Sequence, residues 1–252
     1  MANNRNPADR LENQIEGKNP VIEALHSERK IEKIFISRGP RDNRISEIVS
    51  MASQKGIEIE ELDKKKLDSL AASSAHQGVI ALIAPYNYAS VDDILKRAES
   101  AGEPPFIIIL DEITDPHNFG AIVRSAECCG VHGIIIPKRR SASVTPVVAK
   151  ASAGAVEHML ISKVTNIADT LEYLKKHGLW IAGADMDGIL YTKQDLNGPI
   201  GIVIGSEGQG IRRLVRDKCD FLISIPMKGK IQSLNASVAA GILMYEVVRQ
   251  RG

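Results

Sequence analysis

Short apolar runs alternate with helical patterns along the second half of this chain, and few folds accommodate that order. Each run has the length and the β-branched content of a buried parallel strand, and a polar loop leads from it into the next helical pattern. The predicted strands cover residues 106–110, 133–136, 180–184, 202–204 and 221–225, and helices are predicted from about residue 119, at 144–153, at 167–177 and within 233–250. The alternation predicts an α/β fold in which a parallel sheet carries helices on both faces.

The first 84 residues predict a second, smaller α/β domain. Asn19 and Pro20 have the residue types preferred at the cap and at the first position of a helix. Strands are predicted at 33–37, 57–61 and 79–84, and helices at 44–54 and 65–72. Between residues 84 and 106, prolines flank one polar helical pattern, which is typical of a linker. We therefore predict a flexible tail at 1–9, a small domain at 10–84, a linker with a short helix at 85–105 and a larger domain at 106–252.

Composition disfavours several classes of protein. The formal net charge is only +1, so a nucleic-acid site would have to be a local patch and not a basic domain. Cys128, Cys129 and Cys219 form neither a CxxC motif nor an even disulfide framework, which favours buried thiols in a reducing cytoplasm and no metal site. The apolar runs fall far short of the roughly 18 residues that a membrane span needs. We expect a soluble cytoplasmic protein that does not bind a membrane.

Two loops near the C-terminus are predicted to form the walls of a ligand site. In open α/β sheets, ligands bind outside the carboxyl ends of the strands, and GSEGQG and PMKGKIQSLN follow the last two predicted strands. Gly205, Gly208 and Gly210 have a GxxGxG spacing, which fits neither the dinucleotide fingerprint nor a P-loop. A plain tight turn and a binding loop both remain open. Glu207 favours the binding loop, because a carboxylate can accept hydrogen bonds from hydroxyl or amine groups.

Another polar loop follows the strand predicted at 106–110. Asn118 is predicted to cap the helix after it, and Arg124 lies further along that helix among apolar residues. Two interpretations of Arg124 are open. Its guanidinium either reaches water or pairs with Asp111 or Glu127, or it binds a phosphate or assists a reacting hydroxyl at the strand ends.

The loop before the last helix adds Ser233, Asn235 and Ser237 as polar groups, whereas Met227 has the character of a core residue. A local basic patch can be assembled from cationic residues of several loops, namely Lys138, Arg139, Arg140, Arg212, Arg213, Arg216, Lys228 and Lys230. Solvated surface charge is the alternative for each of them. Ser233 or Asn235 can cap the last helix, and small residues around Gly241 suit close packing against another helix, of the same chain or of a second copy.

The segments NFGAIVRSA, IGSEGQGI and IPMKGKIQSLNASVA resemble, in order and spacing, the three motifs of the SpoU (TrmH) family of RNA ribose 2'-O-methyltransferases. GKNPVIEAL and HQGVIA resemble the small RNA-substrate-binding domain, related to a ribosomal-protein fold, that precedes the catalytic domain in several members. The likeness is greatest to bacterial members that methylate a guanosine of 23S ribosomal RNA. It implies a SPOUT catalytic domain with a deep C-terminal trefoil knot, S-adenosylmethionine as methyl donor, ribosomal RNA as partner, and a homodimer formed through the catalytic domain.

The resemblance also implies roles for individual residues. The polar positions that it implies for catalysis are Asn118, Arg124, Glu207, Ser233 and Asn235. The positions that it implies for the cofactor are Gly205, Ile225, Leu234, Ala184, Gly188, Met227 and Ala236. The polar set shows no departure from the family pattern.

General chemistry limits what Arg124 can do in such an enzyme. Methyl transfer from a sulfonium to a ribose hydroxyl needs in-line alignment and a less protonated oxygen. Because the pKa of a guanidinium lies above about 12, a neutral arginine is costly at pH 7. Our hypothesis is that Arg124 binds the target phosphate and lowers the pKa of the hydroxyl, while Asn118 and Ser233 orient it. The alternatives are a transfer-RNA substrate or a non-catalytic RNA-binding protein that retains the fold, and the glycine spacing disfavours a dinucleotide-dependent oxidoreductase.

Overall fold

A computed structural model describes residues 14–27, 29–71, 75–231 and 233–252. The tail predicted at 1–9 and residue 72 of a predicted helix lie outside the described residues. Packing contacts divide the chain into two compact units. The first unit comprises Met1–Asn87 with Ser143–His158, and the second comprises Tyr88–Ala142 with Met159–Gly252.

Helices and strands alternate through most of the described chain. The helices, in chain order, are α1 (Lys18–His26), α2 (Asn43–Gln54), α3 (Lys64–Leu70), α4 (Val91–Ala101), α5 (Pro116–Cys128), α6 (Pro146–Ala151), α7 (Ile167–Lys176), α8 (Arg213–Arg216) and α9 (Ala236–Arg251). The strands, in chain order, are β1 (Gln14–Glu16), β2 (Ile31–Ser37), β3 (Ile59–Leu62), β4 (Val79–Ile83), β5 (Phe106–Asp111), β6 (Gly133–Pro137), β7 (Ile161–Val164), β8 (Trp180–Leu190), β9 (Ile200–Gly205) and β10 (Phe221–Ser224). No helix within the described ranges is long and apolar enough to cross a membrane.

The first unit is built on a four-stranded mixed sheet with the order β1-β4-β2-β3. Strand β2 pairs parallel with β3 and antiparallel with β4. Ile34 and Ile36 of β2 point to the same face and are fully buried, whereas Phe35 between them is only partly buried, as the period of two in a strand requires. The mixed sheet with its helices is the kind of small α/β arrangement that the sequence predicts, and the unit also includes residues 143–158, which the prediction placed in the larger domain. Strand β1 was not predicted, because its three residues become a strand only by pairing with β4.

The prediction that Asn19 caps α1 is wrong. The helix begins one residue earlier, at Lys18, and its cap is Gly17, whose φ of 96° is readily adopted only by glycine. Asn19 instead lies in the first turn, where its side-chain oxygen accepts a hydrogen bond from Arg44 Nη1 at 2.6 Å. A backbone conformation, and not a side-chain cap, therefore fixes the start of this helix.

The second unit contains a six-stranded sheet with the order β10-β8-β9-β5-β6-β7. Every pair of neighbouring strands in it is parallel, which confirms the predicted sheet. Strand β5 lies inside the sheet, and all six of its residues are buried. Strand β7 was not predicted, because its sequence ISKV offers only four residues and two of them are polar.

Helices cover both faces of this sheet. On one face, Ile107 and Ile109 of β5 pack in an apolar cluster with Ile94 of α4 and Leu171 and Leu174 of α7. Since side chains alternate along a strand, the neighbouring residues of β5 point to the opposite face. Helix α9 packs there, against β9 and against α5. The predicted α/β architecture with helices on both faces is confirmed.

Strand β8 contains an irregularity that shapes the carboxyl edge of the sheet. Leu222 of β10 pairs with Gly183, whereas the next residue, Ile223, pairs with Ile189. Residues 184–188 therefore leave the ladder between these two pairs. Such an interruption aims side chains away from the sheet, here toward the loops that follow β9 and β10.

Candidate active site

A cavity of about 380 Å³ opens at the carboxyl ends of β8, β9 and β10. Its walls are the three segments that leave these strands, as the rule for open α/β sheets predicts. The lining residues are Ala184, Asp185, Met186, Ile204, Gly205, Ser206, Glu207, Gly208, Gln209, Gly210, Ile223, Ile225, Met227, Ser233, Leu234, Ala236 and Ala239. The volume falls in the range of small-molecule sites.

The loop after β9 is a closed turn that also forms a cavity wall. The amide of Ser206 donates to the carbonyl of Gly210 at 3.1 Å, and the amide of Gly210 donates back at 2.9 Å. Gly208 and Gly210 have left-handed φ values of 83° and 64°. A Cβ added at Gly205 would lie 2.0 Å from the carbonyl carbon of Gly210. The glycine at 205 is thus required by the close approach of the two ends of this turn.

Three polar side chains from distant parts of the sequence meet beside this cavity. The amide Nδ2 of Asn118 donates to Glu207 Oε1 at 3.0 Å. Nδ2 of Asn235 donates to Glu207 Oε1 at 2.5 Å and to Asn118 Oδ1 at 2.8 Å. These contacts close a triangle of hydrogen bonds, which we call the polar cluster. Oε2 of Glu207 forms no hydrogen bond to the described part of the chain.

Helix starts place two members of the polar cluster. Asn235 is the cap of α9, and its Oδ1 accepts from the amides of Ser237 at 3.0 Å and Val238 at 3.3 Å. The prediction that Asn118 caps α5 is wrong, since the cap is Asp115. Pro116 follows Asp115 at the first helical position, which suits proline because no amide proton is needed there. Asn118 lies in the first turn of α5, where its side chain is free to join the cluster.

Arg124 lies outside the polar cluster. Its side chain is exposed and forms no hydrogen bond or ion pair with the described residues. The suggested pair with Asp111 does not form, because Asp111 is fully buried and bonds Nε and Nη2 of Arg212 at 2.8 and 2.6 Å. This contact raises the pKa of Arg212 and ties the loop after β9 to the end of β5. Nothing in the spacing of the sequence singles out Arg212 as that partner.

A second ion pair holds the segment that leaves β8. Nε of Arg216 lies 3.0 Å from Asp185 Oδ2, and its Nη2 lies 2.9 Å from Asp187 Oδ2. Asp185 lines the cavity, so Arg216 positions a cavity wall from outside. Of the arginines considered for a basic patch, Arg212 and Arg216 are therefore paired with acids, as are Arg140 with Glu112 and Arg213 with Asp217.

Most of the predicted cofactor residues line the cavity, together with Ser233 and Glu207. The members that do so are Gly205, Ile225, Leu234, Ala184, Met227 and Ala236. Gly188 does not, because it packs against β10, where an added Cβ would lie 2.5 Å from the backbone nitrogen of Ile223. The interpretation of Met227 as a core residue is wrong, since its side chain is 36% exposed at the cavity.

The thiols lie outside the cavity lining. Cys128 is exposed, contrary to the prediction that the thiols are buried. Burial raises the pKa of Cys129 to about 11 and that of Cys219 to about 12, so both are protonated and unreactive near neutral pH. Within the described ranges, no group of three or more His, Cys, Asp or Glu residues could hold a metal ion.

The chemistry of the lining fits a ligand such as S-adenosylmethionine. Ile204, Ile223 and Leu234 offer apolar surface for a purine ring, and the exposed backbone of the glycine turn offers hydrogen-bonding groups for polar edges. The carboxylates of Asp185 and Glu207 complement positive charge on a ligand. No part of the described lining conflicts with a ligand that combines these three properties.

The sequence and the fold are similar to those of known proteins. Residues 105–245 match the SpoU rRNA Methylase family, and residues 14–89 match a domain described as RNA 2'-O ribose methyltransferase substrate binding. The chain is 50% identical over 236 residues to YacO of Bacillus subtilis, which is assigned to the TrmH family of tRNA/rRNA methyltransferases, with 93% of this chain and 94% of that protein covered. A Staphylococcus haemolyticus protein assigned to the same family is 49% identical over 94% of this chain and 95% of its own length. The structure of the SpoU methyltransferase AviRb from Streptomyces viridochromogenes in complex with AdoMet has a TM-score of 0.81 at 25% identity and covers 99% of this chain and 94% of that chain.

Proposed function

Because this chain belongs to the SpoU/TrmH family of RNA ribose methyltransferases, we propose that it transfers a methyl group from S-adenosylmethionine to the ribose 2'-hydroxyl of a guanosine in 23S ribosomal RNA. The observation that carries this proposal is the polar cluster of Asn118, Glu207 and Asn235 beside a cavity of the right chemistry. A chain that only bound RNA would need neither the closed glycine turn nor the cluster.

The cavity residues are proposed to hold the methyl donor. S-adenosylmethionine supplies an electrophilic methyl group on a positively charged sulfonium. Ile204, Ile223 and Leu234 would enclose its purine ring, and the backbone of the turn at 205–210 would bind its polar edges. Arg216 keeps Asp185 at the opposite wall. Walls on both sides would orient the bound methyl donor and so favour one direction of approach for the acceptor.

The polar cluster is proposed to receive the acceptor hydroxyl. Both asparagine amides donate to Oε1 of Glu207, so Oε2 is available as a hydrogen-bond acceptor. A ribose hydroxyl that donates to Oε2 would be held at the edge of the cavity, and its proton would pass to Oε2 as the oxygen takes the methyl group and S-adenosylhomocysteine is left as the second product. Ser233 lies in the same lining and can orient the hydroxyl, while Arg124 is proposed to bind the adjacent phosphate and stabilise the developing negative charge on the oxygen.

Mapping of 2'-O-methylated nucleotides in cells with and without the gene tests this assignment. We expect a single guanosine of 23S ribosomal RNA to lose its methylation in the deletion strain and to regain it when the wild-type gene is returned. A copy of the gene that carries Glu207→Gln, returned in the same way, serves as the control, because its product lacks the carboxylate of the polar cluster. An unchanged ribosomal RNA would contradict the proposed target.

Transfer RNA is the second candidate substrate. The names of the relatives include both transfer and ribosomal RNA, so they keep this candidate open. The match of residues 14–89 to a substrate-binding domain supports residues 10–84 as a domain for RNA, and a separate domain of this kind favours the larger RNA. Loss of methylation confined to transfer RNA in the same mapping would decide for this candidate.

The groove between α5 and α9 is proposed as the interface of a homodimer. Four of its seven lining residues are small, and two of its larger side chains are exposed, Val238 at 49% and Tyr245 at 56%. Gly241 leaves room there, since the nearest atom to an added Cβ is Ser125 Oγ at 4.0 Å. A second copy of the same helices could pack closely against this surface.

Negative charge introduced into this groove by mutation is expected to dissociate the dimer. Sedimentation analysis should show a dimer for the wild type and a monomer for the double variant Val238→Glu and Tyr245→Glu, because two carboxylates per chain would be buried without partners. Leu214→Glu is the matched control, since Leu214 is 61% exposed on a different helix. A wild type that sediments as a monomer, or a double variant that remains a dimer, would contradict this interface.

The deep trefoil knot is proposed as the arrangement of the loops that form the cavity. One close approach of distant segments supports it: a Cβ added at Gly188 would lie 2.5 Å from the backbone of Ile223 in β10. The segment 184–188 therefore runs directly against β10, as closely packed segments of a knot would.

A further inference from the structure

A second concave surface lies on the same edge of the sheet as the cavity. The cavity is formed by residues 184–186 of β8 and by the loops after β9 and β10, whereas this cleft of about 590 Å³ is lined by residues at the ends of β5, β6 and β7, together with Arg212. We call it the basic cleft, because Lys138, Arg139, Arg140 and Arg212 all contribute to its lining. Neither the methyl donor nor the acceptor hydroxyl in the proposed function requires it.

Acidic groups neutralise only part of this charge. Arg212 is bonded to Asp111, and Glu112 lies 3.3 Å from Arg212 Nη1 and 3.4 Å from Arg140 Nη1. In contrast, Lys138 and Arg139 are exposed and form no ion pair with the described residues. The carboxylate of Asp169 is close by in sequence but accepts a hydrogen bond from Asn166 at the start of α7. Two cations of the cleft therefore have no acidic partner.

The backbone holds these residues in place at a conformational cost. Glu112 and Arg140 both adopt left-handed φ values, 62° and 56°, which residues with a Cβ rarely do. The loop of Arg140 is fastened by the hydroxyl of Ser141, which donates to the carbonyl of Pro137 at 3.0 Å, and by the amide of Ala142, which donates to the carbonyl of Ile113 at 2.8 Å. Strain of this kind persists where the surroundings enforce it, and it is common at ligand clamps.

The lining indicates what the cleft would bind. It contains four cations and no aromatic side chain, so it offers nothing on which a base could stack. Arginine and lysine side chains bind phosphate oxygens and read no sequence. The ion pair between Asp111 and Arg212 connects the cleft to the polar cluster. Asp111 ends the strand that precedes Asn118, and Arg212 follows the turn that carries Glu207.

On the basis of the proposed function, we propose that the basic cleft binds phosphodiester groups of the RNA strand on one side of the target nucleotide, through Lys138 and Arg139. Adjacent strands of a sheet lie about 4.8 Å apart, so the middle of the cleft is about 10 Å from the end of β9. A strand of RNA whose ribose enters the polar cluster can place a neighbouring phosphate at that distance. Arg140 and Arg212, which are already paired, keep the cleft open and positively charged.

The test is the double variant Lys138→Gln and Arg139→Gln, with Lys176→Gln and Lys193→Gln as a control that removes the same charge from exposed sites outside the cleft. Binding of a 23S ribosomal RNA transcript is measured over a series of salt concentrations. In the cleft variant, the dissociation constant should rise about tenfold and the salt slope should fall by about 1 for each residue removed. The KM for RNA should rise by the same factor, while kcat and the dissociation constant for S-adenosylmethionine stay unchanged.

The result that would overturn this inference is a cleft variant whose RNA affinity and salt slope equal those of the control variant. A wild type that does not methylate any RNA would contradict the proposed function, but the salt slopes would still decide whether the cleft binds RNA. An equal loss of affinity in both variants would show a general effect of net charge, and it would also count against the cleft.

Discussion

Replacing Gly205 with alanine is expected to lower the affinity for S-adenosylmethionine by about 100-fold, because overpacking costs up to about 3 kcal/mol and each 1.4 kcal/mol is about tenfold in affinity. The added Cβ would lie 2.0 Å from the carbonyl carbon of Gly210 and 2.3 Å from the nitrogen of Ile211. Both are backbone atoms, so no side-chain rotation relieves the contact. The turn would have to open, and Glu207 would leave the polar cluster.

Titration calorimetry with S-adenosylmethionine measures this effect, and thermal unfolding followed by circular dichroism reports whether the fold survives. Gly198→Ala is the matched control, since an added Cβ at Gly198 meets no atom within 4 Å. We expect the control to bind the methyl donor as the wild type does. If Gly205→Ala also binds it as tightly as the wild type, the turn at 205–210 is not a wall of the donor site.

Replacing Arg124 with lysine is expected to lower kcat by about 100-fold, because loss of one charge-stabilising donor at a reacting oxygen has effects of this size. Arg124 is exposed and forms no bond with the described residues, so its guanidinium is available to a ligand. Lysine keeps the charge but cannot make two parallel hydrogen bonds to a phosphate. The affinity for S-adenosylmethionine should not change, since Arg124 does not line the cavity.

Single-turnover rates across a range of pH separate this role from that of a general base. Lysine loses its proton at a lower pH than arginine, so a base at position 124 would make the lysine variant faster than the wild type at high pH. An electrostatic role predicts a lower rate at every pH. Arg249→Lys, on the exposed side of α9, is the control for loss of a guanidinium in general. If Arg124→Lys has near wild-type turnover and unchanged RNA affinity, the two parallel hydrogen bonds from the guanidinium to a phosphate are not needed.

The strands and the loops that carry the site were predictable from the sequence. Long β-branched runs such as β5 and β9 have a strong local signal, and parallel pairing places the loops after β9 and β10 at one edge. Asn118 and Glu207 are 89 residues apart in the sequence, and their contact follows from that shared edge. The local signal is weak where a strand is very short or partly polar, and two strands were therefore missed: β1 has three residues, and two of the four residues of β7 are polar.

Partner choice among charged residues was not predictable. Asp111 could pair with Arg124 by spacing, but the close approach of the turn at 205–210 delivers Arg212 to it instead. The excursion of residues 184–188 from β8 has the same origin, since it depends on where β10 pairs. Helix caps were predicted only in part, because Asp115 followed by proline outcompetes Asn118, which lies three residues later. Each of these outcomes is decided by tertiary packing and not by local sequence.

Asn235 cannot be replaced by aspartate, although the two side chains have the same shape. Its oxygen accepts from the amides that begin α9, while its nitrogen donates to Glu207 and to Asn118. Aspartate could still cap the helix, but it has no hydrogen to donate, and it would place a second negative charge against Glu207. Hydrolysis of this one amide to aspartate is therefore expected to leave the helix intact and to break the polar cluster, so the protein would lose activity without unfolding.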